Sequence, residues 1–378
     1  MRVPVADLHA QHAVLQDELV EAFRRVVGSS AFINGAEVDA FEREFAAYCG
    51  VVHAVGVANG TDALLLALRA VGVGAGDAVA LPAFTFAATA EAVYHAGAEP
   101  LLVDVDPHTL TLDPDALRQA TQRWAAVHHR RVGAIIPVHL YGQPAAMDAI
   151  AGVATELGAA VIEDAAQAHG ARYHGRRAGA LGVCGCFSFY PTKNLGALGD
   201  AGAITTDDAA LADHLRALRD HGQSRKYEHA LIGYNSRLDG IQAALLRLKL
   251  GRLDAWNARR QALAARYRSA LDGLPGIELL GTAVGCEHVY HLFVVRCRER
   301  ERLKTDLQSQ GIGTSVHYPL PLHLQPAFAG LGHGRGDFPV AEAAAREVLA
   351  LPLYPELSDA AAGFVCEAVQ TWARQAHA

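Results

Sequence analysis

The sequence predicts an α/β fold: a large domain with a mainly parallel sheet between helices, followed by a smaller C-terminal α+β domain. Three observations carry this. From residue 50 to about Asp207, short apolar runs alternate with amphipathic segments across turns, the pattern of strands joined by crossover helices. Polar residues with chemical capability stand just after several of those runs, where open parallel sheets bind ligands. After Gly240 the alternation stops and a long stretch of helical spacing begins. The expected boundary lies there, with residues 1–240 as the large domain and 241–378 as the small one.

The first helix is expected from Leu8 to about Val27, because Leu15, Leu19, Val20, Phe23 and Val27 share helical spacing and Gly28-Ser29-Ser30 supplies a stop. A second follows from Glu37 to Cys49. Strands are expected at Ala54–Val57, Ala78–Leu81, Glu99–Val103, Val132–Val138, Ala160–Glu163, Cys184–Ser188 and Ala203–Thr205. The intervening helices are Asp62–Val71, Thr89–Ala96, Pro114–Trp124 and Met147–Leu157. Beyond Gly240, Ile241 to about Leu271 reads as one long helix with Leu245, Leu248 and Trp256 on its apolar stripe. Strand-like segments at Tyr290–Arg296 and Thr314–Tyr318 flank a helical Glu299–Gln310.

Composition narrows the function. The chain has 378 residues, 51% of them hydrophobic and 19% charged, which suits a folded globular protein of about two domains. A net charge of −7 argues against a partner such as nucleic acid, whose binders present basic surfaces. No apolar run reaches the ~18 residues of a membrane span, and the first residues lack the apolar core of a secretory signal. Cys184 and Cys186 are one residue apart, which suits neither a mutual disulfide nor a zinc site, and both read as small core residues. The expectation is a cytoplasmic protein with reduced thiols, no membrane partner and no metal.

Three segments carry chemistry, each at a strand end. In Asn59-Gly60-Thr61-Asp62, before an apolar helix, free N–H groups, a hydroxyl and the positive end of the helix dipole make an anion site; a plain N-cap accounts for the same residues. In Val161-Ile162-Glu163-Asp164-Ala165-Ala166-Gln167, a carboxylate stands at the ligand edge of the sheet and suits a protonated ring nitrogen, or else caps a helix. In Phe187-Ser188-Phe189-Tyr190-Pro191-Thr192-Lys193-Asn194, a lysine sits in an aromatic loop followed by Gly196, Gly199 and Gly202. Burial there would lower its pKa and leave the free amine that captures a carbonyl; a surface lysine with only its stem packed is the other reading.

Together with Pro82-Ala83-Phe84-Thr85-Phe86-Ala87-Ala88-Thr89, these strings resemble the DegT/DnrJ/EryC1/StrS family of sugar aminotransferases, nearly end to end from Gly35-Ala36-Glu37-Val38 to Leu351-Pro352-Leu353-Tyr354-Pro355. The resemblance implies an aspartate aminotransferase-like fold and a pyridoxal phosphate (PLP) cofactor, with pyridoxamine phosphate (PMP) as its intermediate form. It makes Lys193 the residue that holds the cofactor and serves as general base, with Asp164 keeping the pyridine nitrogen protonated. Gln167 would reach the cofactor's 3′-oxygen, Gly60, Thr61 and Ser188 would bind the phosphate, and Phe86 would stack on the ring. Asn235, in Gly233-Tyr234-Asn235-Ser236-Arg237-Leu238, matches an asparagine that the family supplies from the other subunit, which implies a homodimer with shared sites. Relatives with histidine in place of the lysine are dehydratases; Lys193 implies transamination.

The segment Val316-His317-Tyr318-Pro319-Leu320-Pro321-Leu322-His323 resembles the branch acting on nucleotide-linked 3-keto sugars. By that resemblance Tyr190, Lys226, His317, Tyr318 and His323 line the sugar and nucleotide site, although Arg225-Lys226 also reads as a solvated loop and His323 as a structural residue. The expected reaction moves an amino group from L-glutamate to C3 of a nucleotide-linked, dTDP by expectation, 3-keto-6-deoxyhexose. A 4-keto sugar or a UDP-3-keto uronate is the alternative substrate, and a non-catalytic cofactor-binding regulator is the alternative class.

Overall fold

Helices α1 (Leu8–Ser29) and α2 (Ala36–Cys49) precede the first strand, β1 (His53–Val57), in a computed structural model that describes residues 1–376. There follow α3 (Gly60–Ala70), β2 (Ala78–Pro82), α4 (Ala87–His95), β3 (Glu99–Val103), α5 (Pro114–His128), β4 (Val132–Ile135), α6 (Met147–Leu157), β5 (Ala160–Asp164), β6 (Cys184–Ser188), β7 (Gly202–Thr206) and α7 (Ala209–Arg219). These strands form one seven-stranded sheet in the order β1-β7-β6-β5-β4-β2-β3. Only β7 runs against its neighbours β1 and β6; the other pairings are parallel.

Apolar residues on both sides of the strands explain why both sheet faces are covered. Val55, Leu81, Ile162 and Ile204 join Leu64, Leu66 and Leu68 of α3 in one core. Ala78, Ala80, Ile135 and Val161 join Leu117 and Trp124 of α5 and Ile150 of α6 in the opposite layer. Two boundaries differ from expectation. The helix expected at Asp62 starts at Gly60, because Asn59 Oδ1 accepts from the Asp62 N–H at 2.8 Å. The strand expected to reach Val138 ends at Ile135, since Pro137 has no N–H for a ladder; Val138 keeps one isolated bridge to Asp164.

The single helix expected over Ile241–Leu271 is two, α8 (Gly240–Leu250) and α9 (Leu253–Leu271), with the chain turning at Gly251-Arg252. Two cores pull on this segment. Leu245 packs with Leu15, Leu19 and Val26 of α1, whereas Leu263, Tyr267 and Leu271 belong to a separate C-terminal core. That core surrounds an antiparallel sheet of β8 (Glu278–Leu279), β9 (Phe293–Arg296) and a last strand, β10 (Val348–Leu351), with β9 in the middle. Around it lie α10 (Arg300–Ser309), α11 (Pro339–Glu347) and α12 (Asp359–Ala376). Val3, bridged to Ile312, is also part of it. The strand expected over Thr314–Tyr318 is reduced to one bridge between Ser315 and Ala350, after which the chain leaves the sheet edge. Among the described residues, no helix is long and apolar enough to cross a membrane.

Candidate active site

β1, β2, β5 and β6 all run in the same direction, so their carboxyl ends open on one edge of the sheet. A cavity of about 350 Å³ lies there. β1 leads to Asn59, Gly60 and Thr61, β2 to Thr85 and Phe86, β5 to Asp164 and Gln167, and β6 to Ser188, Tyr190 and Lys193. His291, His317 and Tyr318 close it from the C-terminal part of the chain. The three segments singled out by sequence therefore meet in one place.

Each group is held by identifiable bonds. Asn59 caps α3, and the Ala63 N–H bonds back to Asn59, so the N–H groups of Gly60 and Thr61 lie ahead of the helix's own ladder. Gly60 must be glycine: a Cβ there would stand 2.6 Å from Ser188 Cβ, and the close approach brings the helix start to the end of β6. Asp164 is buried, and its two oxygens accept from the Thr89 hydroxyl at 2.8 Å and the Ala166 N–H at 3.2 Å. Burial pushes its carboxyl above the ordinary range; Thr89, Ala166 and the Lys193 amine pull it back.

Lys193 is half-buried among the lining residues. Desolvation lowers its ammonium to about 8, with Asp164 opposing the shift. Its loop is pinned on both sides. Asn194 Nδ2 donates to Asn257 Oδ1 of α9 at 2.9 Å and to the Val289 carbonyl at 3.2 Å. Lys249, in the last turn of α8, donates to the Gly196 carbonyl at 2.8 Å. A side chain at Gly196 would meet the Pro191 carbonyl oxygen at 2.3 Å, so this tight loop also requires glycine.

Gln167 is gripped at both ends of its amide: Oε1 accepts from the Tyr141 N–H at 2.7 Å, and Nε2 donates to the Tyr318 hydroxyl at 3.1 Å. The Tyr318 ring lies 5.7 Å from that of Phe86, at 33° to it. Phe86 and Tyr190 are exposed at the mouth, 56% and 52% respectively. Burial depresses the His317 imidazole, and Lys193 adds to the effect.

Three expected residues lie elsewhere. Asn235 lines an adjoining cavity with Arg237 and Ile33; Asn59 and Asp200 line both cavities. Lys226 is exposed on the hairpin of Gln223–Arg225 and Glu228–His229 and is not part of the cavity in one copy of the chain. His323 corrects the sequence expectation. Its ring is buried against Phe338 and its Nε2 lies 3.1 Å from Glu342 Oε1, so it holds the 3₁₀ turn at Leu322–Leu324 to α11 rather than lining the site.

The sequence reading missed other lining residues, notably Thr85, Thr89, Asp200 and His291. Thr85 and Thr89 were readable, standing four apart where a strand end enters a helix; their hydroxyls are 3.2 Å apart. His291 had no local signal. It is placed by Asn194, whose Oδ1 is 3.2 Å from its Nδ1, and burial holds it well below the ordinary histidine range.

A family model described as the DegT/DnrJ/EryC1/StrS aminotransferase family matches residues 14–370. The chain is 50% identical over 376 residues to a dTDP-3-amino-3,4,6-trideoxy-alpha-D-glucose transaminase of Streptomyces venezuelae, covering 99% of this chain and 97% of the relative. Among solved structures, S. venezuelae DesV in complex with a ketimine intermediate superposes with a TM-score of 0.95 at 49% identity, covering 98% of both chains. NtdA from Bacillus subtilis, with bound cofactor PMP, superposes at 0.90 with 30% identity, covering 99% of this chain and 86% of that one. Matched along nearly its whole length by the model and its relatives alike, the chain belongs to the DegT/DnrJ/EryC1/StrS aminotransferase family.

Proposed function

We propose that this aminotransferase moves an amino group from L-glutamate to C3 of a dTDP-linked 3-keto-6-deoxyhexose, using pyridoxal phosphate. The observation that carries the reading is the pairing, in one cavity, of a lysine with a depressed pKa and a buried carboxylate held by Thr89. The identity and coverage shared with the dTDP-sugar transaminase support the substrate class.

The residues present fit the cofactor. A buried carboxylate needs a protonated partner, which a pyridine nitrogen supplies to Asp164. The start of α3, with Gly60, Thr61 and the adjacent Ser188, suits a phosphate. When bound, pyridoxal phosphate supplies an electron sink for the pair released at the donor's Cα and carries the amino group between substrates. Asp164 would hold the proton on the ring nitrogen, Phe86 would stack on the ring and Gln167 would reach its 3′-oxygen. The Lys193 amine, whose pKa burial lowers, would take the proton from the donor Cα and return one at C3 of the sugar. Tyr190, His317 and Tyr318 orient the sugar ketone and hydroxyls.

The reading also makes the enzyme a homodimer in the cytoplasm, with residues 1–240 as the cofactor domain and 241–378 as the domain bringing His317 and Tyr318. An exposed apolar stripe on α1, formed by Val20, Phe23 and Val27, supports a self-complementary face. Asn235 and the Lys226 hairpin, outside the cavity of their own chain, would complete the cavity of the second copy. The test is product analysis by mass spectrometry and NMR after incubation with L-glutamate and a panel of dTDP-3-keto, dTDP-4-keto and UDP-3-keto sugars. A new C3–N bond on the dTDP-3-keto sugar is expected; amination only at C4, or only of UDP sugars, would overturn the substrate assignment.

A further inference from the structure

Tyr141 lies outside the cavity lining, yet it joins the parts of the chain that form it. It is 1% exposed and has φ +59°, a left-handed conformation that is costly for tyrosine and persists only where its surroundings fix it. Its N–H donates to Gln167 Oε1 at 2.7 Å, and its hydroxyl donates to the His317 carbonyl. The Leu292 N–H donates to its carbonyl at 3.4 Å. One residue thus bonds the segment after β5, the start of β9 and the His317–Tyr318 segment.

The support beneath Tyr141 is equally ordered. Glu163 and His139 are completely buried. Glu163 accepts from the N–H groups of Gly179, Leu181 and Gly182 at 2.7 to 2.8 Å. The Ala145 N–H donates to His139 Nδ1, so His139 carries its proton on Nε2 and donates it to Glu163 at 2.9 Å. The His139 N–H in turn donates to the Asp164 carbonyl at 3.0 Å. The loop presenting Tyr141 is therefore tied to the same strand end that presents Asp164.

We propose that Tyr141 is a positioning residue for the keto-sugar step, its hydroxyl fixing the His317–Tyr318 segment while its N–H holds Gln167, whose other amide end bonds the Tyr318 hydroxyl. The inference rests on the sugar aminotransferase reading above. The two bonds are separable, because phenylalanine removes the hydroxyl and keeps the N–H. Burial holds the phenol well above the ordinary tyrosine range, so it remains a donor throughout the working pH.

The test uses the full-length holoenzyme and its Tyr141→Phe variant. Each half-reaction is followed separately by absorbance, with L-glutamate and with the dTDP-3-keto sugar, and dTDP-3-amino-sugar binding is measured by calorimetry. The cofactor spectrum and the glutamate half-reaction should stay within about twofold of wild type, because the backbone N–H of residue 141 keeps its bond to Gln167 and the change removes no bond of Lys193 or Asp164. The keto-sugar kcat/KM and the amino-sugar affinity should each fall by about tenfold, the scale of one buried hydrogen bond left unmade. A cycle of Tyr141→Phe with Tyr318→Phe should be non-additive, because both act on one segment. Equal loss in both half-reactions, no loss with the sugar, or a variant that fails to fold or hold cofactor would overturn the proposal. A wild-type enzyme that reacts with glutamate but not with the dTDP-3-keto sugar would instead overturn the substrate reading.

Discussion

The Thr89 hydroxyl donates to Asp164 Oδ2 at 2.8 Å, from the first turn of α4 across to the end of β5. It is a neutral donor on a buried carboxylate, and it opposes the upward push of burial on Asp164. Thr89→Val should raise the Asp164 pKa further. The acid limb of the pH–rate profile should then move to higher pH, with turnover falling by about tenfold on loss of one bond to a charged group. Asp164→Asn should cost more, about 10²–10³-fold, as for removal of a single well-aimed electrostatic group. Stopped-flow traces across pH check both; an unmoved acid limb in Thr89→Val would show that the bond does not tune Asp164.

Lys193 is lowered to about 8 from 10.5, so between those values the unfolded chain binds more protons than the folded one. The cofactor-free protein carries the cost of burying this charge below about pH 8 and loses that cost as pH rises to about 10.5. Lys193→Met should therefore have the higher Tm at pH 7, with the advantage shrinking over this window. Cofactor capture by wild type should accelerate with pH up to about 8, and borohydride reduction of the holoenzyme should label Lys193 in a peptide map. Labelling at another lysine would remove it from the mechanism.

A shared site predicts complementation. Lys193→Ala and Asn235→Asp chains, each inactive alone, should regain one working site per heterodimer when mixed under conditions that exchange subunits. Proven exchange with no recovered turnover would place Asn235 outside the partner's site.

Lys226→Ala should raise the apparent KM for the nucleotide sugar, and His317→Ala should lower kcat/KM in that half-reaction. Both should leave the glutamate half-reaction largely intact, because glutamate is too short to need contacts beyond the cofactor. Contacts remote from the reacting carbon supply binding energy that positions it. Single-turnover absorbance with each substrate separates the cases; equal damage to both halves would assign these residues to cofactor or fold.

His323→Ala should lower stability by about 2 kcal/mol, because Glu342 loses a buried partner. Its kcat/KM for the sugar should stay within about twofold, as for a change away from the site. Chemical denaturation alongside steady-state kinetics checks this. A selective loss of sugar turnover without loss of stability would return His323 to the substrate site.

These outcomes trace back to what local sequence can carry. The Asn59-Gly60-Thr61, Glu163-Asp164 and Ser188–Lys193 segments were legible because each strand end and its functional group are adjacent in sequence, and parallel strands bring such ends to one edge. His291 was not legible, because the Asn194 that orients it is 97 residues away. His323 misled for the same reason: its partner Glu342 is brought to it by the packing of α11, while its sequence neighbours include true lining residues. The break after Leu250 was hidden because helical spacing continues through it, and only the existence of two separate cores demands the turn.

That corner also sets a helical phase. Lys249 stands two residues before Gly251, and its amine must meet the Gly196 carbonyl in the loop that carries Lys193. Each residue added to or removed from α8 ahead of Lys249 rotates it by about 100° relative to the rest of the helix. A one-residue change there would swing the amine off the loop while leaving helix content, composition and apolar count almost untouched. Chain length between Gly240 and Lys249 is therefore a coordinate of the active site, and insertions or deletions within it should not be tolerated.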